Sequence, residues 1–488
     1  MKKQLARICS GTLAMLMLAG CGASSQTDTK TTAKLDPNNP TNITVWHYYN
    51  GAQQAAFDQL VEEFNRTEGK EQGIYVESNS QGTVDDTEKK VLASFNKEVG
   101  SDPIPNIFAS YADTAYAIEQ MDMLVDLEQY MTPDELNEYV DSFVDEGRIG
   151  KNGELRIFPT AKSTEIFMMN ATDWQTFADA TGASLDDLAT VEGITETAQK
   201  YYEWTDAKTP DVPNDGKAFY GRDAMANLFV IGSMQMGTEL FKTDNGSVTI
   251  QADETVMHRI WDNYYVPYVK GYFSAKGKFR SDDVATGDIL AYTGSTASAN
   301  YFPSMVEDAD GEREIECTIL PAPVFEDGEK YQVQQGAGMV VSKTDEQHEY
   351  ASVQFLKWFT QEQNNLMFGS ASGYIPVKKN ALTQDMLDEV IKDKNLEISD
   401  NMYRTLTTCF DTVKDSEMYT NKPFENGNSA RSVINSNLSD KAEEDRAQVK
   451  QLLEQGQSLE QATASYVSED AFQAWYTAFC DELNASVK

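Results

Sequence analysis

Ile43-Thr44-Val45-Trp46-His47, followed from Gln53 to Thr67 by Ala56, Phe57, Leu60, Val61 and Phe64, is the stretch from which the fold is read. Its first five residues, rich in β-branched and aromatic types and entering Tyr48-Tyr49-Asn50-Gly51, predict a strand running into a loop. The recurrence of apolar residues every three or four positions after the loop predicts an amphipathic helix. Outward from there the pattern repeats. A strand restarts at Gly73 to Val76, a helix at Asp85 to Val99 through Val91, Leu92 and Phe95, and a buried strand at Asn106-Ile107-Phe108, with helix again from Ala112. This alternation predicts an α/β fold with a mostly parallel sheet covered on both faces.

Beyond residue 150 the rhythm changes. Leu155 to Pro159 and Ile166 to Asn170 read as strands in a connecting segment, and helical patterns dominate residues 194–272, broken by a loop from Thr209 to Lys217. Strands recur at Asp288 to Thr293, Ile319 to Pro323 and Met339 to Ser342. Ala351 to Phe368 reads as one amphipathic helix, and the remaining C-terminal stretch as polar helix. No fixed-period repeat is present. Ligands of α/β sheets sit beyond the C-terminal strand ends, which singles out the residues after His47, after Phe108 and near Tyr374.

The 488 residues include 40% hydrophobic and 24% charged types, enough apolar mass for a core and too much for a disordered or fibrous chain. Lys and Arg number 40 against 78 Asp and Glu, a formal charge of −38 at pH 7. Such a chain repels phosphate backbones, so a nucleic-acid partner is not expected. Lys2, Lys3 and Arg7 precede a short apolar run from Leu13 to Ala19, the order of a secretory signal. The run ends Leu18-Ala19-Gly20-Cys21, which resembles the lipobox of bacterial lipoproteins, with Cys21 as first mature residue and lipid carrier. Residues 1–20 are then the signal peptide and 21–41, poor in apolar residues, a flexible tether. No later segment approaches ~18 uninterrupted apolar residues, so the body is expected outside the membrane, held by lipid. Cys317, Cys409 and Cys480 remain, an odd number without C-x-x-C; a Cys409–Cys480 bridge or buried thiols both fit.

Catalytic patterns are missing. His47, His258 and His348 are the only histidines, and no H-E-x-x-H, G-x-S-x-G, phosphate loop or dinucleotide fingerprint occurs. Asp308-Ala309-Asp310-Gly311 has its glycine too early for a calcium loop and reads as a turn. No metal, no cofactor and no enzymatic activity are expected. Aromatic residues instead fall at expected loops: Trp46, Tyr48, Tyr49, Tyr111, Trp204, Tyr301 and Tyr374. Sugar rings stack their C–H faces on aromatics, while their hydroxyls need fixed partners such as His47, Asn50, Asp113, Ser163 and Thr164.

With these residues in view, the sequence resembles the bacterial extracellular solute-binding proteins, family 1, that serve ABC importers of sugars and glycerol phosphate. The resemblance is carried by the lipobox, residues 43–47, Phe64-Asn65, Pro105-Asn106-Ile107-Phe108 and Leu124-Val125-Asp126-Leu127. It continues through Phe158-Pro159, residues 165–170, Gln335-Gly336-Ala337-Gly338, Phe355-Leu356-Lys357-Trp358 and Ser372-Gly373-Tyr374-Ile375-Pro376-Val377. It implies a type II periplasmic-binding-protein fold, two α/β lobes joined by hinge crossovers, with residues 42–158 and 318–370 in lobe I and 159–317 and 371–488 in lobe II. It implies a monomeric receptor on the extracytoplasmic side of the cell membrane, working with ABC permease subunits. Family contacts carry over to the Trp46–Asn50 loop, Tyr111, Asp113, Ser163, Ser295, Thr296, Gly336 and Tyr374. Arg431, just inside a helix start capped by Asn428 or Ser429, stands where glycerol-phosphate binders hold phosphate, and helix N-termini favour anions. The loop Tyr48-Tyr49-Asn50 lacks the acidic residue of that group. The expected function is carbohydrate capture for import. The alternatives are glycerol-3-phosphate or phosphodiester capture and, in another class, a surface glycoside hydrolase or glycan adhesin.

Overall fold

The strand read from residues 43–47 begins slightly earlier, as β1 (Thr41–His47), and the helix after it spans Gly51–Arg66. The computed structural model describes residues 31–488 except 245 and 310. The expected signal peptide, Cys21 and most of the tether lie outside the described residues. Helix Gly51–Arg66 buries Phe57, Leu60, Val61 and Phe64, and Phe57 and Phe64 meet Phe355 at ring-centroid distances of 6.3 and 5.1 Å. Each such buried side chain contributes about 1.5–3 kcal/mol, so this stripe anchors the helix to the lobe. β2 (Ile74–Ser80) and β3 (Ile107–Ser110) follow, separated by helix Val84–Phe95, whose first turn is closed by a Thr83–Asp86 capping box. β4 (Ile157–Phe158) is the last strand before the chain crosses over.

The second lobe opens with β5 (Glu165–Asn170), buried along its whole length. β6 (Tyr220–Arg222), the hairpin β7 (Phe241–Asp244) and β8 (Ser247–Ile250), β9 (Ala291–Ser295), the hairpin β10 (Met305–Asp308) and β11 (Gly311–Glu314), and β12 (Cys317–Pro321) follow. Then come β13 (Tyr331–Val333), β14 (Gly338–Val341) and β15 (Glu417–Tyr419). The first sheet runs β2-β1-β3-β14-β4 and the second β12-β5-β9-β6. In the first, β1 is parallel to β2 and β3, whereas β14 lies antiparallel to β3 and β4. In the second, only β6 and β9 are parallel. Helices Gly427–Glu454 and Glu469–Ser486, the latter through Trp475, close the second lobe over Trp261 and Phe229.

Several sequence expectations change. β12 pairs with β5, so residues 318–321, expected in lobe I, extend the second sheet; the chain rejoins the first sheet only at β14. The helical reading of residues 194–272 hides β6, β7 and β8, whose three or four residues are too short to show a period against helical neighbours. The single helix expected from Ala351 to Phe368 is two, Glu346–Phe359 and Glu362–Ser372. At the break the Thr360 hydroxyl returns to the Leu356 carbonyl at 2.9 Å and meets the Tyr139 hydroxyl at 2.7 Å. Cys317, Cys409 and Cys480 are all free thiols. Burial pushes the Cys409 thiol well above its ordinary value.

Candidate functional site

A cavity of about 470 Å³ lies between the two lobes, within the size range of small-molecule sites. One wall is the start of helix Val84–Phe95, with Asp85 and Glu88, together with Tyr111, Ala112 and Asp113 after β3. The opposite wall holds Asn227 and Val230 of helix Met225–Gln235, Phe241, and the first turns of helix Gly427–Glu454 with Asn428, Arg431, Ser432 and Asn435. Between the walls run Val333, Gln334 and Gln335 of one crossing segment, and Thr420 and Asn421 after β15.

Local sequence explains how each group arrives. β3 stops at Ser110, and Tyr111 becomes the N-cap of helix Ala112–Glu119, putting Asp113 in its first turn. The Tyr111 ring lies over Tyr48 at 6.5 Å between centroids. Tyr48 in turn accepts from the Ala337 N–H at 3.3 Å, so the Tyr111 ring rests on a fixed neighbour. Asp113 approaches the long helix at Gly427, where an added Cβ would stand 2.6 Å from Asp113 Oδ1 and push the carboxyl aside. Asp113 Oδ1 is buried with no hydrogen-bond partner. Burial raises this carboxyl to about 6, against the opposing pull of the Arg431 charge and a backbone hydrogen bond from Phe424. Burial also raises Glu88, with a hydrogen bond from Thr114 acting against it and the charges of Asp85 and Asp113 adding to it.

Behind these groups stand two buried networks. Arg431 donates through Nη2 to Asn227 Oδ1 at 2.9 Å, Asn227 Nδ2 donates to Glu165 Oε1 at 2.9 Å, and Glu165 pairs with Arg222. On the other side Gln334, 3% exposed, donates through Nε2 to the Ser142 carbonyl at 3.2 Å and to Glu146. Glu146 is the ion-pair partner of buried Lys162, which also donates to the Gly336 carbonyl at 2.9 Å. Gln334 Oε1 has no partner. Glu88, Asn227, Gln334 and Asn435 carry no motif and were not among the sequence candidates; only the neighbouring Gln335-Gly336 block points near Gln334.

Of the residues singled out in the sequence, the structure brings Tyr111, Asp113 and Arg431 together on the cavity walls. Trp46 is displaced from the expected rim: it is 7% exposed and packs with Phe95 and Phe108, because β1 is a central strand covered on both faces. His47, Tyr49 and Tyr374 belong to the packed interior, one layer behind Tyr111. Burial lowers the His47 ring to about 4, the Asp58 charge opposing it. Asn50 is an exposed N-cap without a side-chain cap bond. Ser163, Thr164 and Thr296 are buried at strand ends, and Ser295 is the N-cap of the 3₁₀ turn 296–301. Gly336, at φ +89°, packs against the Ala161 carbonyl, where an added Cβ would come within 3.0 Å. Trp204 lies in the second lobe under Lys208, 3.1 Å from the ring centroid, and Tyr301 is 66% exposed outside the cavity. The helix bearing Arg431 begins at Gly427 behind Asn426 (φ 63°) with no side-chain cap, so Asn428 and Ser429 sit inside its first turn rather than capping it.

A larger hollow of about 610 Å³ is confined to the second lobe, and two of its three lysines, Lys217 and Lys276, are paired with Asp308 and Asp288. The smaller cavity is the candidate site because both lobes build it and it alone of the two shows buried acceptors without partners. Among the described residues no three His, Cys, Asp or Glu side chains stand close enough to hold a metal ion.

The family model for bacterial extracellular solute-binding proteins matches residues 59–398. No curated relative matches the sequence. Among solved structures, the cyclic alpha-maltosyl-1,6-maltose binding protein of Arthrobacter globiformis superposes with a TM-score of 0.63 at 18% identity, covering 92% of this chain and 100% of its own. UgpB of Mycobacterium tuberculosis, solved with glycerophosphocholine, gives 0.61 at 18% identity over 92% and 100%. The GacH receptor of Streptomyces glaucescens, solved unliganded and with acarbose, gives 0.60 at 13% over 91% and 99%. The shared property is the two-lobed fold.

Proposed function

The chain belongs to the bacterial extracellular solute-binding proteins, and from that premise we propose that it captures a carbohydrate, a sugar or oligosaccharide, and passes it chemically unchanged to an ABC permease. The observation that carries the reading is the make-up of the cavity. Amides, hydroxyls and carboxylates from both lobes surround Tyr111, the combination that a ring with one flat apolar face and many hydroxyls requires. A solute reaching Asp113 on one wall and Asn227 or Arg431 on the other gains contacts only when the lobes are together, so it favours closure. Sugar-binding proteins among the structural relatives support the same reading. Tethering through a lipid on Cys21 would keep the receptor beside its permease.

A second reading, capture of a glycerol phosphodiester, is favoured by Arg431 on the cavity wall and by the relative solved with glycerophosphocholine. Isothermal titration of neutral mono- and oligosaccharides and of glycerophosphodiesters decides between the two. Saturable one-to-one binding of a neutral sugar supports the first, and binding confined to phosphodiesters and lost in Arg431→Ala supports the second. Recovery of a cleaved sugar after incubation would overturn both.

A further inference from the structure

We propose that the captured solute bears a positively charged group, an amine on a sugar ring or a substituted ammonium, and that this group sits at Asp113 beside the Tyr111 ring. The inference rests on the carbohydrate reading above and names its chemical subclass.

Three observations lead to it. First, the buried polar atoms of the cavity walls that lack partners, Asp113 Oδ1 and Gln334 Oε1, are both acceptors. The Gln334 orientation is settled by its surroundings: Nε2 faces the Ser142 carbonyl and the Glu146 carboxylate, and a flipped amide would set oxygen against oxygen. Two buried acceptors wait for donors, and an ammonium is a group of donors only. Second, the charges do not balance. Glu146 is matched by Lys162, but Asp85, Glu88 and Asp113 face one guanidinium, Arg431. A bare anion would meet net repulsion there, and a cation net attraction. Third, the wall carboxylates form no metal-holding cluster among the described residues, and the Tyr111 ring, backed by Tyr48, lines the same cavity. That lining suits an organic cation on a polyol, which can lie over Tyr111 while its hydroxyls reach the neighbouring groups.

Burial holds the Asp113 carboxyl at about 6 and raises Glu88, while Arg431 and the Phe424 backbone oppose the shift at Asp113. A cation arriving at Asp113 draws that value down, so uptake near pH 5.5 should release a proton.

The experiment uses three β-1,4-linked tetrasaccharides that differ at C2 alone: the glucosamine tetramer, its N-acetylated form and cellotetraose. Each is titrated calorimetrically into the full-length protein. The amine form is expected to bind at least about tenfold more tightly than the other two, the scale of one charge-assisted hydrogen bond. Asp113→Asn should bring that ratio below about three, and Glu88→Gln, should the first variant fold poorly, should lower it in the same direction. Equal or tighter binding of cellotetraose overturns the inference and leaves the carbohydrate reading standing. An amine preference untouched by both substitutions overturns the placement at Asp113. No binding by any of the three counts against the carbohydrate reading itself, and the inference falls with it.

Discussion

β1 and β3 are neighbouring parallel strands that end side by side, and each hands the chain to a helix, yet the residues after them fare in opposite ways. After β1 the rings close on one another. His47 stacks on Tyr49 at 5.0 Å and meets Phe57 at 4.9 Å, and the Tyr49 N–H donates to His47 Nδ1 at 3.1 Å. After β3 the rings stop at Tyr111, and the next polar group, Asp113, is left with a buried oxygen unanswered. His47 Nε2 is also without a partner, but its ring lies in a packed aromatic cluster and lines none of the cavities described above. What distinguishes the two ends is therefore not aromatic content, which is greater after β1. It is an unmet acceptor beside open space.

The largest expected effect that would break this comparison is at Trp46. As a core residue, Trp46→Ala should cost about 3–5 kcal/mol of stability in urea unfolding. A variant of unchanged stability with weakened solute binding would return Trp46 to the site. Next comes His47, whose folded value near 4 lies below the ordinary 6.5. Because the folded value is depressed, the contribution is intact above pH 6.5 and is lost as pH falls from there through 4. About 3 kcal/mol is at stake, read as a pH-dependent melting curve that flattens in His47→Gln. Asp113 has the opposite sign. Its folded value is raised from 3.8 to about 6, so its contribution is full below 3.8 and disappears as pH climbs through 6. Asp113→Asn should stabilise the free protein by about 3 kcal/mol at pH 7 and leave it unchanged at pH 3. The smallest effect is at Tyr111: replacement by Ala should cost about 1 kcal/mol for the stacking on Tyr48 plus the little area it buries against the core, less than at Trp46, while weakening solute binding severalfold.

The first lobe was legible because its strands and helices are long enough to show their periods, from Ile43 to the helix beginning at Ala112. The second lobe was less so. β6 has three residues, and its partner β9 lies some seventy positions later, so nothing local announces the pairing. The apolar spacing of residues 351–368 continues straight through the break at Thr360, since both helices bury one face against the same core. At the site, Arg431 was reached from the resemblance to glycerol-phosphate binders, and Tyr111 and Asp113 from the end of the strand at Phe108. The choice of Trp46 followed the same logic and misread a central strand, covered on both faces, as an exposed rim. Gln334 could not be found that way, because its importance comes from Glu146 and Lys162, which approach it only in three dimensions.

The segments that pass between the lobes are also bound to one another. Ser163 and Gln335 exchange two backbone hydrogen bonds of 2.9 Å, Lys162 and Ile375 exchange two of 3.0 and 2.5 Å, and β13 lies parallel to β15. Laced together in this way, the strands cannot slide past each other one at a time; they bend as a single ribbon about a shared axle. The two halves are left with one cheap degree of freedom, a swing, and sideways shear would tear the lacing. Whatever guest settles between them need restrain only that swing.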